Sequence, residues 1–117
     1  MQTLTKAEEQ VMQILWRLEE ATVSEMLKHF EMPKPAYNTV STIVRILEQK
    51  EFVTHRKQGK GHIYLPLVSK SAYTRSTLNQ LINGYFDGSP KALVSFFVRK
   101  NNMSLQELNE IIEQLKD

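Results

Sequence analysis

The sequence predicts a mainly α-helical chain with one small β-hairpin, and three observations carry that expectation. Val40, Ile43, Val44 and Leu47 recur at i, i+3, i+4 and i+7, the spacing of an amphipathic helix. Just downstream, the β-rich runs Phe52–Lys57 and His62–Leu67 flank Gln58-Gly59-Lys60-Gly61, a glycine-bearing turn that reads as a hairpin. Residues 69–117 then carry three more amphipathic patterns separated by turn residues.

The first helix begins at Thr5-Lys6-Ala7-Glu8, a capping box in which hydroxyl and carboxylate satisfy amides at the helix start. Leu4, Val11, Ile14, Leu15 and Leu18 give it a buried face. Trp16 lies off that stripe and is expected to cover a seam with the hairpin or the C-terminal helices rather than to act as a ligand platform. A second capping box, Thr22-Val23-Ser24-Glu25, opens a short helix whose stripe is Val23, Met26, Leu27 and Phe30. Glu31–Ala36, with two prolines, breaks it, and Pro35 suits the first turn of the next helix. Pro66 cannot donate a ladder hydrogen bond and belongs at a strand end or edge. A short helix, a break, a second helix and a hairpin make a winged helix-turn-helix, expected over residues 1–68.

The helix after the break has an unusual polar face. Asn38, Ser41, Thr42, Arg45 and Gln49 stand opposite the apolar stripe, with no acid until Glu48 at the margin. Short hydrogen-bonding side chains and a guanidinium are what base edges in a major groove require. Asn38, Ser41, Thr42 and Arg45 are therefore the candidates for base contacts. Lys34, Tyr37 and Thr39 are the candidates for contacting or orienting the DNA backbone, and Arg56, Lys57 and Lys60 for holding flanking phosphates without encoding sequence. The formal charge is only +2, so the excess must be local: four Lys or Arg stand against one acid between Lys50 and His62. The alternative reading is a winged helix used as a protein-interaction module, its polar helix merely solvated.

In the C-terminal part, Leu78, Leu81, Ile82 and Tyr85 repeat at helical spacing, with Phe86 alongside. Asn83-Gly84 interrupts helical propensity near the end, and Asp87-Gly88 is expected to form a break. Ser89-Pro90 restarts a helix carrying Leu93, Val94, Phe96, Phe97 and Val98. Ser104–Glu107 is a further capping box, followed by Leu108, Ile111, Ile112 and Leu115. Three short helices do not readily build a core of their own, so this helical region, 69–117, must pack on the winged helix or on a partner. A symmetric homodimer would bury the apolar faces and set two reading helices one DNA turn, about 34 Å, apart. The other possibility is an intrachain cap on a monomer.

Composition narrows the function classes. Apolar content of 41% and charge of 24% suit a folded globular protein rather than a disordered tail. With zero cysteines there is no disulfide framework and no thiolate metal site. HExxH, CxxC, GxGxxG, P-loop and GxSxG patterns are all missing, so no catalytic constellation and no cofactor is expected. A hairpin can bring His55 and His62 toward each other, but without a third ligand nearby they read as wing histidines facing phosphate rather than a metal pair. No apolar run approaches the roughly 20 residues that span a bilayer, and no signal-peptide pattern opens the chain, so a cytoplasmic location is expected.

The sequence also resembles a known family. The resemblance begins at Leu4-Thr5-Lys6-Ala7-Glu8, with Val11-Met12 and Leu15-Trp16, and continues through Thr22-Val23-Ser24-Glu25. Tyr37-Asn38-Thr39-Val40-Ser41-Thr42 is its most specific part, followed by Leu47-Glu48-Gln49-Lys50 and Tyr64. On these motifs the chain is similar to the BlaI/MecI-type penicillinase repressors. The resemblance implies a homodimeric winged-helix repressor of a β-lactam-response-type or related operon that binds a palindromic operator. It further implies relief of repression when a membrane-bound sensor metalloprotease system causes a cut in the C-terminal region, which alignment places near Phe96-Phe97. It favours dimerisation through Leu78, Leu81, Ile82, Leu108, Ile111, Ile112 and Leu115. The related copper-responsive branch carries a C-terminal cysteine cluster, which this chain lacks. Three departures matter: Glu51 stands where the family usually has Gly, Ile46 where several members have Arg, and Phe96 where Asn usually precedes the cut.

Overall fold

A computed structural model describes residues 1–115 of the chain. The elements are α1 (Lys6–Leu18), α2 (Val23–Leu27), α3 (Tyr37–Gln49), β1 (Val53–Gln58), β2 (Gly61–Pro66), α4 (Lys70–Tyr85), α5 (Pro90–Lys100) and α6 (Leu105–Leu115). Both expected N-terminal capping boxes form: Glu8 and Glu25 amides donate to the Thr5 and Thr22 hydroxyls, and the Thr5 and Thr22 amides donate back to the two carboxylates. α2 is only five residues long, so Phe30 packs from outside it. Pro35 does not enter α3, whose cap is Ala36; the helix starts at Tyr37 without a side-chain cap.

α1, α2 and α3 close around one apolar core. Met12, Leu15, Met26, Val40, Val44 and Leu47 have no more than trace exposure, joined by Phe52, Val53 and Tyr64 from the hairpin. Each fully buried side chain of this kind contributes on the order of 1.5–3 kcal/mol of transfer free energy. β1 and β2 pair antiparallel from Val53↔Pro66 to Gln58↔Gly61, and Pro66 does lie at the strand end. A third strand is reduced to a single residue: Ala21 and Tyr64 exchange both backbone hydrogen bonds, at 3.0 and 2.8 Å, tying the α1–α2 connection to the wing.

Two further ties fix this unit. Lys50, which caps the end of α3, places Nζ 2.8 and 2.9 Å from the two Glu8 carboxylate oxygens at the start of α1. Glu8 is 5% exposed. Burial opposes its ionisation, yet the Lys50 ammonium and the Thr5 amide outweigh it and hold the carboxyl below its ordinary range. Trp16 donates its indole N–H to the Val68 carbonyl at 2.8 Å and packs on Tyr73 with ring centroids 5.9 Å apart. Tyr73 in turn accepts the Leu4 amide at its hydroxyl, 3.0 Å away. The first turn of α4 thus joins the winged-helix core, and the first compact unit comprises Met1–Ser76.

The second unit, Thr77–Asp117, holds the rest of α4 with α5 and α6. α4 continues through Asn83-Gly84 to Tyr85, because one helical glycine costs only about 1 kcal/mol. The break falls at Asp87-Gly88, where both residues have positive φ. Ser89 and Ser104 cap α5 and α6 through the Ala92 and Glu107 amides. Among the described residues no helix is long and apolar enough to cross a membrane.

Candidate nucleic-acid interface

Packing divides the surface of α3 into three strips. With Val40, Val44 and Leu47 turned into the core, Asn38, Thr42, Arg45 and Gln49, at i, i+4, i+7 and i+11, point outward and are all exposed. Tyr37, Ser41 and Glu48 form the flank nearer the hairpin, where Tyr37 and Ser41 line a pit shared with Lys60 and His62. Thr39 and Ile43 form the opposite flank and line a groove against Gln10, Ile14 and Arg17 of α1. The candidate readers therefore do not share one surface. Asn38, Thr42 and Arg45 stand together on the outward strip with Gln49, Ser41 is half-buried on the wing flank, and Thr39 is on the α1 flank. Lys34 is exposed in the break before the helix.

The outward strip is free of carboxylates, and its polar groups are only lightly engaged. The Thr42 hydroxyl donates to the Asn38 carbonyl at 2.9 Å, which leaves its lone pairs available as acceptors. Arg45 Nε lies at the limit of hydrogen bonding, 3.5 Å from the Ser41 carbonyl. Glu48, the nearest acid, is turned to the wing, where His55 Nδ1 lies 2.5 Å from its Oε2. The His55 ring stacks on His62 with centroids 4.4 Å apart and planes inclined by 22°. Tyr64 closes this junction; burial raises its phenol above the ordinary value, Glu48 adds to the rise and Arg45 acts against it, so the hydroxyl stays neutral. Among the described residues no cluster of three His, Cys, Asp or Glu groups could hold a metal ion.

The three basic wing residues also separate. Lys60 is in the two-residue turn with Gly59, whose φ of +61° explains the glycine there. Lys57 pairs across the hairpin with His62. Arg56, on the other face of β1, makes an ion pair with Glu20 beside the Ala21 bridge. That partner is 36 residues away in sequence and carries no local signal.

In the second unit, Leu78 and Leu81 are exposed while Ile82 is buried. Leu108 is half-buried, and the side chains of Ile111, Ile112 and Leu115 lie outside the described residues. Phe96 and Phe97 stay about half exposed on α5, with the Phe96 ring 5.7 Å from that of Phe86.

An exposed, acid-free helix strip beside a basic hairpin defines a winged-helix module of the nucleic-acid-binding type. The chain belongs to the penicillinase repressor family, whose sequence profile it matches over residues 4–117. It is 24% identical over 115 residues to the penicillinase repressor of Bacillus licheniformis, covering 97% of this chain and 90% of that protein. To the methicillin resistance regulatory protein MecI of Staphylococcus aureus (strain N315) it is 29% identical over 109 residues, covering 92% of this chain and 89% of that one. Among solved structures it resembles the DNA-binding domain of the repressor BlaI, with a TM-score of 0.53 and 25% identity over 61% of this chain and 88% of that domain. The family and the winged-helix fold expected from the sequence are both borne out.

Proposed function

We propose that this chain is a homodimeric, sequence-specific DNA-binding transcriptional repressor acting in the cytoplasm. The observation that carries the reading is the outward strip of Asn38, Thr42 and Arg45 on α3, acid-free and exposed beside the wing, in a chain of the penicillinase repressor family. In this reading Asn38, Thr42 and Arg45 contact base edges, with Ser41 beside them. Lys34, Tyr37, Thr39, Lys57 and Lys60 fix the register on phosphates, and Arg56 joins them once it leaves Glu20.

Residues 1–68 form the DNA-binding domain and residues 69–117 the dimerisation region. Support for dimerisation comes from the exposed apolar side chains of the second unit: Leu78, Leu81, Tyr85 and Leu105 are far from buried, a state that a second copy would relieve. A palindromic operator follows from the two-fold symmetry of such a dimer. Relief by a sensor metalloprotease system acting near Phe96-Phe97 rests on the family pattern and on the exposure of both rings. A cut there would separate α6 from the rest, and with the loss of shared half-sites an avidity of about 10²–10⁴ would go. Regulation of a β-lactam-response-type or related operon completes the reading.

The test is binding to a short palindromic duplex from the gene's own promoter, followed over a salt series. A repressor gives a steep log–log salt slope; negligible affinity for any duplex would indicate a protein-interaction module instead. Arg45→Ala should cost on the order of 1–3 kcal/mol at the specific site and relax discrimination. Lys57→Ala should weaken specific and random duplexes about equally. Equal effects of the two substitutions on both duplexes would overturn the division of roles. Sedimentation of the full chain at micromolar concentration tests the dimer, and a monomer with and without DNA would exclude it.

A further inference from the structure

Between the start of α2, the wing flank of α3 and the beginning of β2 lies a polar pit of about 350 Å³. Ser24, Tyr37, Ser41, Lys60 and His62 line it, and each carries a hydrogen-bond donor. Among the described residues none of these five side chains has a hydrogen-bond or ion-pair partner within the chain. Thr22 also lines the pit, but its hydroxyl already accepts the Glu25 amide. No carboxylate lines the pit. Glu25, the acid nearest in sequence, is engaged by the Thr22 amide through its own carboxylate.

Five unpartnered donors meeting from three elements and the hairpin turn, two of them on basic residues, ask for an anion. The position of the pit says which one. When the outward strip of α3 enters a major groove, one DNA backbone must run along a flank of the helix. The α1 flank also carries donors, Gln10, Gln13, Arg17 and His29, but they are set in a largely apolar groove with Ile14, Phe30, Met32, Pro33 and Ile43 that also holds the Glu31 carboxylate. The wing flank gathers its donors in a pit without a carboxylate, and the acid on that flank, Glu48, lies outside the pit and is engaged by His55. We propose that this pit seats one phosphodiester of the bound DNA, held by Lys60 and His62 with the hydroxyls of Ser24, Tyr37 and Ser41. The proposal rests on the DNA-binding reading above and deepens it. It adds Ser24 and His62 to the interface and moves Ser41 from reading bases to positioning the backbone.

The experiment uses the full-length protein, the promoter palindrome, a scrambled duplex of equal length, and inorganic phosphate. Ser24→Ala and Tyr37→Phe each remove one hydroxyl and should weaken both duplexes by the same factor, about 3- to 10-fold. Lys60→Met should lower the salt slope by about one. His62→Gln should also weaken both duplexes alike; because His62 stacks on His55, its thermal midpoint is measured alongside, and a lowered midpoint shifts the weight to Tyr37→Phe. A methylphosphonate placed along the palindrome should abolish the Ser24→Ala effect at one position and nowhere else. Loss of discrimination between the duplexes in Ser24→Ala, or unchanged affinity in both hydroxyl variants, overturns the seat while leaving the repressor reading intact. Saturable amide shifts at Ser24, Ser41 and His62 with micromolar inorganic phosphate would make the pit a free-anion site and equally overturn it. Wild-type protein that binds neither duplex removes both readings together.

Discussion

Residues 1–76 and 77–117 are built from helices of similar kind, yet they dispose of apolar surface in opposite ways. α1 and α5 make the comparison sharp: 13 and 11 residues long, each opened by a hydroxyl cap. α1 buries Val11, Met12, Ile14 and Leu15, whereas α5, with Leu93, Val94, Phe96, Phe97 and Val98, buries none of its residues. Leu105 at the head of α6 is 76% exposed and Tyr85 at the end of α4 is 80% exposed. An amphipathic pattern states that a face wants covering; it does not state what covers it. In the first unit the cover is the chain itself.

The comparison can be broken most directly with Leu15→Ala. In a core with no slack this should cost about 2–5 kcal/mol in denaturant unfolding. A loss below 1 kcal/mol would mean the first unit is packed as loosely as the second.

Lys50→Met should rank next, at roughly 3 kcal/mol near neutral pH, because it strands the Glu8 carboxylate without its cation. The pH dependence has a definite sign. Glu8 is depressed in the folded chain, so its contribution is present above the ordinary carboxylate range and lost as pH falls through its folded value. The gap between wild type and Lys50→Met should therefore narrow on acidification. A gap that widens below pH 4.5, the ordinary Glu value, would contradict the assigned pairing.

Glu51→Gly is expected to stabilise by about 1 kcal/mol. Glu51 has φ 65° and sits where α3 ends: its amide donates to Glu48, and the Phe52 amide reaches back to Leu47 at 2.9 Å. This left-handed helix end favours glycine. A loss of thermal stability in the variant would show that the glutamate side chain offsets its backbone strain.

The smallest effect should come from Leu105→Ser, within about 0.5 kcal/mol for dilute monomer. At concentrations where sedimentation reports dimer, the same substitution should destabilise more. Equal cost at both concentrations would take Leu105 out of any subunit contact.

Much of the fold was legible because its signals are local. Thr5 with Glu8, Thr22 with Glu25, the stripe Val40–Leu47 and the Gly59 turn each occupy a few neighbouring residues, and each forms as its chemistry dictates. What escaped was tertiary. Nothing in the sequence near Ala21 announces a one-residue strand, since its bridge partner, Tyr64, is far away in sequence. The Lys50–Glu8 bridge spans 42 residues; from the sequence Glu8 reads as a helix cap and Lys50 as part of a local basic excess, and nothing local links the two. At the interface, periodicity separated polar from apolar faces of α3 but not the outward strip from its two flanks; that took the positions of the wing and α1. Pro35 misled for a simple reason: proline tolerates the first helical turn but equally suits the extended residue before a cap.

Tyr73 has a consequence of its own. Its ring is locked between Trp16 and Phe52, and its hydroxyl holds the Leu4 amide, so the opening turn of α4 is anchored in the first core. Beyond Ser76 the same helix carries mostly exposed residues. One unbroken run of backbone hydrogen bonds should then divide into two classes of hydrogen-exchange protection. Amides around Tyr73 would exchange with the slow set of α1 and α3, and those toward Tyr85 on a faster schedule.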